Sequence, residues 1–399
     1  MGEFYQTHPY PPPVDDLDAY RRAWNDARRR ADSHLFWPSE AYRDDRSILV
    51  AGCGSVQAAH YAVRWPRARV VGIDVSETSL AFSRELKGKH ALENLELARL
   101  AIEDAAQLGE TFEHIVATGV LHHLPDPAAG LRALRGVLER DGAMHLMLYA
   151  PYGRAGIYLL QEYARRLHLR WSVGEIRDLV ATLKALPPDH PIAPLLRSAP
   201  DFATPAGVAD ALLHPNDRPY SVPQVLELLE SAGLRFGRWL RQAPYLACCG
   251  AIASTPHAAA LTAMPDAAEH AAMELFRGSM TRHSAIAHRS DRDAPAAPDF
   301  EDALEYVPVR LPETVAVRER LPAGAAAVLI NRSHTFTDLY LPVDAARERF
   351  WNAIDGARTI RDICAARADA GFALDFVRAL WRWDQVVFDT SRSGRAIPS

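Results

Sequence analysis

The chain has 399 residues, a formal net charge of −5 with histidines neutral, and a hydrophobic fraction of 48%. That length allows two domains, the charge is too mild to advertise a polyanion or a membrane surface as partner, and no segment approaches a transmembrane run. The four cysteines, Cys53, Cys248, Cys249 and Cys364, are too few and too badly spaced for a disulfide framework. With no clustered histidines beside them they do not make a zinc pattern either, so no metal is expected. The N-terminal stretch lacks the basic and apolar regions of a signal peptide, and a soluble cytoplasmic protein is the natural reading.

Residues 1–46 read as an arm followed by a helix, Leu17 to Ser33, with arginines on one face. Tyr10-Pro11-Pro12-Pro13 cannot be helical and must lie extended. Then comes the most informative segment. An apolar run from Ile48 to Val50 breaks into the small-residue turn Ala51-Gly52-Cys53-Gly54-Ser55, a helical stretch follows, and a second apolar run, Val70 to Ile73, ends in Asp74. Strand, glycine turn, helix and parallel strand with an acid about twenty residues after the glycines describe a nucleoside pocket. Gly52 and Gly54 let backbone approach the ligand, and Asp74 can take both hydroxyls of a ribose. A dinucleotide fingerprint wants a third glycine, and Val56 stands where it is expected.

Further along, Asn94 to Leu100 reads as a strand, and Phe112 to Ala117 as a buried one running into Thr118-Gly119-Val120-Leu121-His122-His123-Leu124. A helix from Pro127 to Leu138, a turn at Arg140-Asp141-Gly142 and a strand from Ala143 to Tyr149 complete the series. This order of motifs resembles the class I S-adenosylmethionine-dependent methyltransferases over roughly residues 40 to 255. VAGCGSVQ stands as the first motif, VVGIDVS as the ribose strand and FEHIVATGVLHHL as the central strand.

The resemblance implies S-adenosylmethionine as cofactor. It places Ala51, Gly52 and Gly54 beneath the methionine and ribose portions, Gln57 near the methionine end, Asp74 on the ribose diol and Val75 on the adenine face. Ile102 would donate its backbone N–H to the adenine. The acid that the family places after its third strand is Ala101 here, so either Glu103 or Asp104 supplies the adenine acceptor or packing alone holds the ring. Thr118 would border the methionine moiety. His122 and His123 either act as general base toward an acceptor or fix the loop by hydrogen bonds. Tyr5 or Tyr10 either folds over the cofactor or belongs to an arm packed on the surface.

Between Ala150 and Leu213 lies a leucine- and alanine-rich insert broken by prolines, reading as helices at roughly Ile157 to Leu169 and Val173 to Leu186 and then an irregular segment. Falling above the carboxyl edge of the sheet, it is a lid over the acceptor or, alternatively, a dimerising helical pair. Tyr149 faces it. Asp217, Arg218 and Tyr220 sit on the loop returning to the core, where they orient a polar acceptor or form an ion pair that pins the lid. Ser221 caps a helix over Val225 to Ser231, Leu234 to Leu240 is a strand, and Ala247 to Ala253 is read as the final, antiparallel strand.

Residues 284–300 have linker composition. Beyond them come strands at Ala325 to Asn331, Asp338 to Pro342 and Val386 to Phe388, and helices at Ala345 to Ile354, Ile360 to Ala368 and Phe372 to Arg382. The phrase from Phe350 to Ile363 resembles small winged-helix domains of the peptide-chaperone type. Arginines and carboxylates balance there, which disfavours nucleic acid and favours a homodimer or peptide partner.

The expected fold is therefore α/β: a doubly wound, seven-stranded Rossmann-like methyltransferase sheet with a helical lid insert and a small C-terminal α+β winged-helix-like domain. The expected divisions are 1–46 arm and helix, 47–255 core with the lid at 150–214, 256–300 helix and linker, and 301–395 winged-helix-like domain. The expected function is methyl transfer to an O, N or S nucleophile on a small-molecule acceptor, without nucleic acid or membrane. The alternatives are a non-catalytic cofactor-binding scaffold and a peptide or protein methyltransferase.

Overall fold

A computed structural model of the chain describes residues 14, 16–292, 298–300, 303–364 and 370–391. The chain forms two compact units. One takes the described residues of Met1–Ala23 with Asp45–Arg235 and Gly278–Ser290; the other takes Trp24–Asp44, Phe236–Arg277 and the described residues of Asp291–Ser399.

The first unit is built on a seven-stranded sheet of β1 (Ser47–Ala51), β2 (Arg69–Asp74), β3 (Leu95–Arg99), β4 (Phe112–Thr118), β5 (Leu138–Tyr149), β6 (Leu234–Trp239) and β7 (Arg282–Arg289), in the order β3-β2-β1-β4-β5-β7-β6. The chain leaves this unit within β6. Strands β3, β2, β1, β4 and β5 are parallel, and β7 runs antiparallel along β5 from Ala143 opposite His288 to Tyr149 opposite Arg282. Continuous apolar runs suit this placement, because helices cover both faces of a parallel sheet. Ile48, Leu49 and Val50 of β1 and Ile115, Val116 and Ala117 of β4 are accordingly buried.

Local chemistry sets the helices. The helix Glu77–Lys89 starts where Ser76 accepts from the Ser79 N–H, and Pro127–Gly136 starts where Asp126 accepts from the Ala129 N–H with a proline in its first turn. The helix Gln57–Arg64 turns Ala58, Ala59 and Ala62 inward. A Cβ on Gly72 of β2 would lie 2.7 Å from the Ala58 Cβ. Close packing of helix on strand therefore rests on Gly72 and these alanines, and Val56 can stand where a third turn glycine was expected.

Sequence order and structure part at several places. The expected helix from Leu17 to Ser33 is two helices, Asp18–Ala23 and Asp26–Phe36, because Asn25 caps the second by accepting from the Arg28 N–H. The insert carries four helices, Ala155–Arg166, Val173–Leu183, Ala193–Ser198 and Pro205–Leu213, around a core that includes Ile157, Leu160, Ile176, Leu179 and Leu212. The segment expected to be irregular becomes helical because Thr204 caps the Gly207 N–H at 3.1 Å and Pro205 occupies the first turn, where proline begins a helix rather than breaking one. Ala247 to Ala253 is not the closing strand but turn and a short 3₁₀ stretch, Ala251–Ser254, anchored by the Ala251 N–H to Asp338. The antiparallel strand is β7, which begins just before the segment read as linker and runs into it. Its alanines and histidines carry little β propensity, and pairing with β5 supplies what propensity does not.

The second unit has β8 (Val307–Arg310) paired antiparallel with β12 (Val386–Asp389), and a three-stranded antiparallel sheet of β9 (Thr314–Val317), β10 (Ala327–Asn331) and β11 (Tyr340–Val343) in the order β11-β10-β9. The helices Ala345–Ala353, Ile360–Cys364 and Ala370–Arg382 pack Phe350, Trp351, Ile360, Phe376 and Leu380 into its core. Among the described residues no helix is long and apolar enough to cross a membrane.

A buried carboxylate ties this unit internally. Asp384 accepts from Arg238 Nη2 at 3.0 Å and from the Ala243 N–H at 2.9 Å, with His334 Nε2 at 3.3 Å. Burial pushes its carboxyl up, but His334, Arg238 and the Ala243 N–H outweigh that and hold it below the ordinary value. The Asp384→Ala variant is expected to lose about 3–5 kcal/mol, since Arg238 would be left as an uncompensated buried charge. A lowered thermal midpoint checks this, and an unchanged one contradicts it. With the folded carboxyl below its unfolded value, the contribution is present at neutral pH and lost as pH falls through that depressed value.

Candidate functional site

In the sheet order β1 lies between β2 and β4: the connection after β1 leads to one side and the one after β3 crosses to the other, which opens a crevice at the carboxyl ends of these strands. A cavity of about 360 Å³ occupies it. Within the usual range for small-ligand pockets, it draws its walls from the loops after β1, β2, β3, β4 and β5, from the insert and from the start of β7.

The floor is the turn after β1. Gly52 and Gly54 have φ of +66° and +55°, and a Cβ on Gly52 would come within 2.4 Å of the Val120 side chain. Both conditions require glycine. Asp74 ends β2 opposite this turn. Its Oδ2 accepts from the Gly54 N–H and its Oδ1 from the Ser76 N–H, each at 2.8 Å. Burial pushes the Asp74 carboxyl up, opposed by backbone donors from Ser76, Gly54 and Val75. Each oxygen keeps lone-pair capacity for a further donor, and Asp74 lines the cavity. Gln57, opening the next helix, donates through Nε2 to Thr118 Oγ1. Its Oε1 is buried without a hydrogen-bond partner in the structure. Cys53 is fully buried and its thiol is pushed well up, first by burial and then by Asp74, so it is no thiolate nucleophile.

Of the residues singled out from sequence, the structure brings Gly52, Gly54, Gln57, Asp74, Val75, Ile102, Glu103, Thr118, His123 and Tyr149 to this one cavity. Glu103 lines it and Asp104 does not. Ala51 closes β1, buried behind the turn. His122, Asp217, Arg218 and Tyr220 stand outside the lining but are tied to it. The Arg218 N–H donates to the His122 carbonyl and the Tyr220 N–H to the Tyr149 carbonyl. The ion pair considered between Asp217 and Arg218 is not formed: Asp217 lies 3.6 Å from Arg154 Nη2 and accepts from Gln161 Nε2 at 2.8 Å. Tyr10 and Tyr5 lie outside the described residues.

Another part of the lining, with the residues behind it, is aromatic and basic. The Arg154 guanidinium sits 3.5 Å over the Tyr149 ring. The rings of His122 and Tyr149 are 4.0 Å apart, those of His122 and His123 4.2 Å, and those of His123 and His214 4.0 Å. His123 Nδ1 lies 2.7 Å from the Asn216 carbonyl, which can only accept, so Nδ1 carries the proton and Nε2 is the basic nitrogen. Burial lowers the pKa of His122 and of His123, and lowers that of His214 to about 3, keeping these imidazoles neutral near pH 7.

Sequence reading missed Arg154, Asp210, Thr281 and Arg282 in the lining. Arg154 follows β5 on a loop at the carboxyl edge, a position that could have been flagged. Asp210 is the one acid in the apolar phrase VADALL. Thr281 and Arg282 went unseen because their strand did.

The residues fit S-adenosylmethionine. An orphaned buried amide oxygen on Gln57 waits for a donor such as an amino group, the glycine cradle would be filled by any Cβ, and Asp74 retains acceptor capacity for a diol.

A protein-family model described as a methyltransferase domain matches residues 49–144. An uncharacterized protein from Synechococcus is 31% identical over 248 residues, 59% of this chain and 58% of that protein. A ubiquinone biosynthesis O-methyltransferase from Neisseria meningitidis is 31% identical over 98 residues, 24% of this chain and 41% of that enzyme. The chain thus spans less than two thirds of either relative. PKMT2 from Rickettsia typhi, a solved structure, aligns with a TM-score of 0.63 at 16% identity, covering 94% of this chain and 75% of that one. It has also been solved in complex with AdoHcy. At this identity the likeness speaks for the fold.

The Asp74→Ala variant is expected to lose binding of S-adenosylhomocysteine by about 100-fold, two hydrogen bonds to a charged acceptor being removed at ~1.5 kcal/mol each. Calorimetric titration checks it; affinity within about twofold of the parent, well inside 1 kcal/mol, contradicts it.

Proposed function

We propose that the chain, whose residues 49–144 match a methyltransferase-domain model, is a class I S-adenosylmethionine-dependent methyltransferase that methylates an oxygen, nitrogen or sulfur nucleophile on a small molecule, a metabolite or natural-product intermediate. The observation carrying this reading is the polar part of the cavity lining. Besides the glycine turn and Asp74, the lining includes His123, Tyr149, Arg154 and Asp210, the last from the insert's own helix Pro205–Leu213. A pocket of about 360 Å³ with polar groups converging at one end suits a compact polar acceptor held away from water.

The cofactor, when bound, supplies an activated methyl group on a sulfonium. The chain's residues bind and orient. Gly52 and Gly54 let the backbone lie against the ligand, Asp74 takes the ribose hydroxyls, and Val75 and the Ile102 and Glu103 segment flank the adenine. Gln57 and Thr118 receive the methionine end. At the acceptor end His123 positions the nucleophile, its ring oriented by the contact of Nδ1 with the Asn216 carbonyl. His122 stands behind it. Arg154, stacked on Tyr149 and paired with Asp217, ties the insert to the end of β5.

Incubation of the full chain with methyl-labelled S-adenosylmethionine and a panel of small phenols, carboxylic acids, amines and thiols tests the proposal. Label is expected on one of these small-molecule classes. Label confined to added peptides or proteins contradicts it. With an accepted substrate in hand, His123→Ala is expected to lower kcat/KM at least about tenfold, the loss of ~1.4 kcal/mol. Affinity for S-adenosylhomocysteine should stay within about threefold of the parent, since the acceptor end contributes little to it.

A further inference from the structure

Three side chains at the acceptor end make a second kind of site. One ligand atom each from His122, His123 and Asp217 lies within 4.8 Å of the others. His122 and His123 are buried, and the Asp217 side chain is 1% exposed.

An independent observation sits beside this geometry. Both ring nitrogens of His122 and Oδ1 of Asp217 are buried and have no hydrogen-bond partner in the structure. Each orphan of this kind costs about 1–3 kcal/mol, and three atoms of two neighbouring residues share the defect. Two of the three residues are held by neighbours in the protein. The Asn216 carbonyl takes the proton of His123 Nδ1, and Gln161 donates to Asp217 Oδ2, with Arg154 on the same oxygen at 3.6 Å. Those contacts leave Asp217 Oδ1 as an electron-pair donor beside the two imidazoles. Outer contacts that fix an imidazole and a carboxylate in this way are what metal ligands have.

We propose that His122, His123 and Asp217 bind a divalent cation of the zinc or cobalt type, which receives the acceptor's nucleophilic oxygen. Two imidazoles and one carboxylate suit a borderline ion, whereas magnesium and calcium want oxygen donors throughout. Three protein ligands leave a coordination position open, as in catalytic rather than structural sites. The Arg154 guanidinium beside Asp217 opposes a second positive charge, so the ion binds more weakly than in a closed structural site and gains from an anionic oxygen as fourth ligand. The acceptor's O–H proton passes to solvent and the resulting oxyanion stays on the ion. The proposal rests on the reading that the acceptor enters at this end, and it refines how His123 positions the nucleophile.

The test uses the full chain stripped by a chelator and titrated with Co²⁺, followed by its visible absorption and by metal content after dialysis. One Co²⁺ per chain with tetrahedral or five-coordinate bands is expected. His122→Gln and Asp217→Asn, neither of which lines the cofactor cavity, are expected to weaken it by more than about tenfold, the range for lost ligand-sphere contacts. Both variants should keep S-adenosylhomocysteine binding, which also certifies their folding. No Co²⁺ uptake by the parent overturns the proposal, and so does uptake that both variants retain, because the ion would then sit elsewhere. Should the parent take up Co²⁺ as expected but bind no S-adenosylhomocysteine, the methyltransferase reading fails while the metal site stands.

Discussion

The site depends on one carboxylate. Asp74 accepts from the Gly54 N–H with one oxygen and from the Ser76 N–H with the other, so the loop after β1 and the loop after β2 are held by a single side chain. Its burial pushes the carboxyl up, and the backbone donors offset only part of that, so Asp74 sits at a cost in the folded chain. Bringing further hydroxyl donors to the same oxygens is the natural way to offset the rest. The same tie fixes the left-handed glycine turn on which Val120 packs. The cavity's glycine turn and the carboxylate beside it are therefore one structural device.

The remainder of the site is arranged around that device by the sheet. Parallel strands deliver their carboxyl ends to one edge, and the change of direction at β1 leaves the crevice there. The insert has its own apolar core, which lets it act as a stable wall and contribute Asp210. Arg154 joins wall to sheet by lying over Tyr149 and pairing with Asp217, and the rings of His122, His123 and His214 lie tilted against one another nearby. The lining thus combines backbone and a carboxylate with imidazole, phenol and guanidinium groups.

What the sequence revealed follows from distance along the chain. The Gly52/Gly54 turn and Asp74 are close in sequence, and their spacing alone places them together, as the strands β1, β2 and β4 do through their apolar runs. Gln57, Thr118 and His123 were legible because they stand at or just after the carboxyl ends of those strands. Arg154 and Asp210 were not, since an arginine and an acid inside a proline-broken insert gain meaning only when the insert folds over the sheet. An ion pair of Asp217 with Arg218 or another partner was open in the sequence; the structure pairs it with Arg154, its neighbour in space rather than in sequence. β7 was invisible because its alanines and histidines form a strand only through β5, and with it Thr281 and Arg282 were lost from the site.

The account stands or falls on what fills the cavity over Asp74. The most direct measurement is calorimetric titration of the purified full chain with S-adenosylmethionine, S-adenosylhomocysteine and, in parallel, a nicotinamide dinucleotide. Binding of the first two with micromolar-range dissociation constants, and none of the dinucleotide, is the predicted result. Well-folded protein that binds neither S-adenosyl compound, or that prefers the dinucleotide, would contradict it.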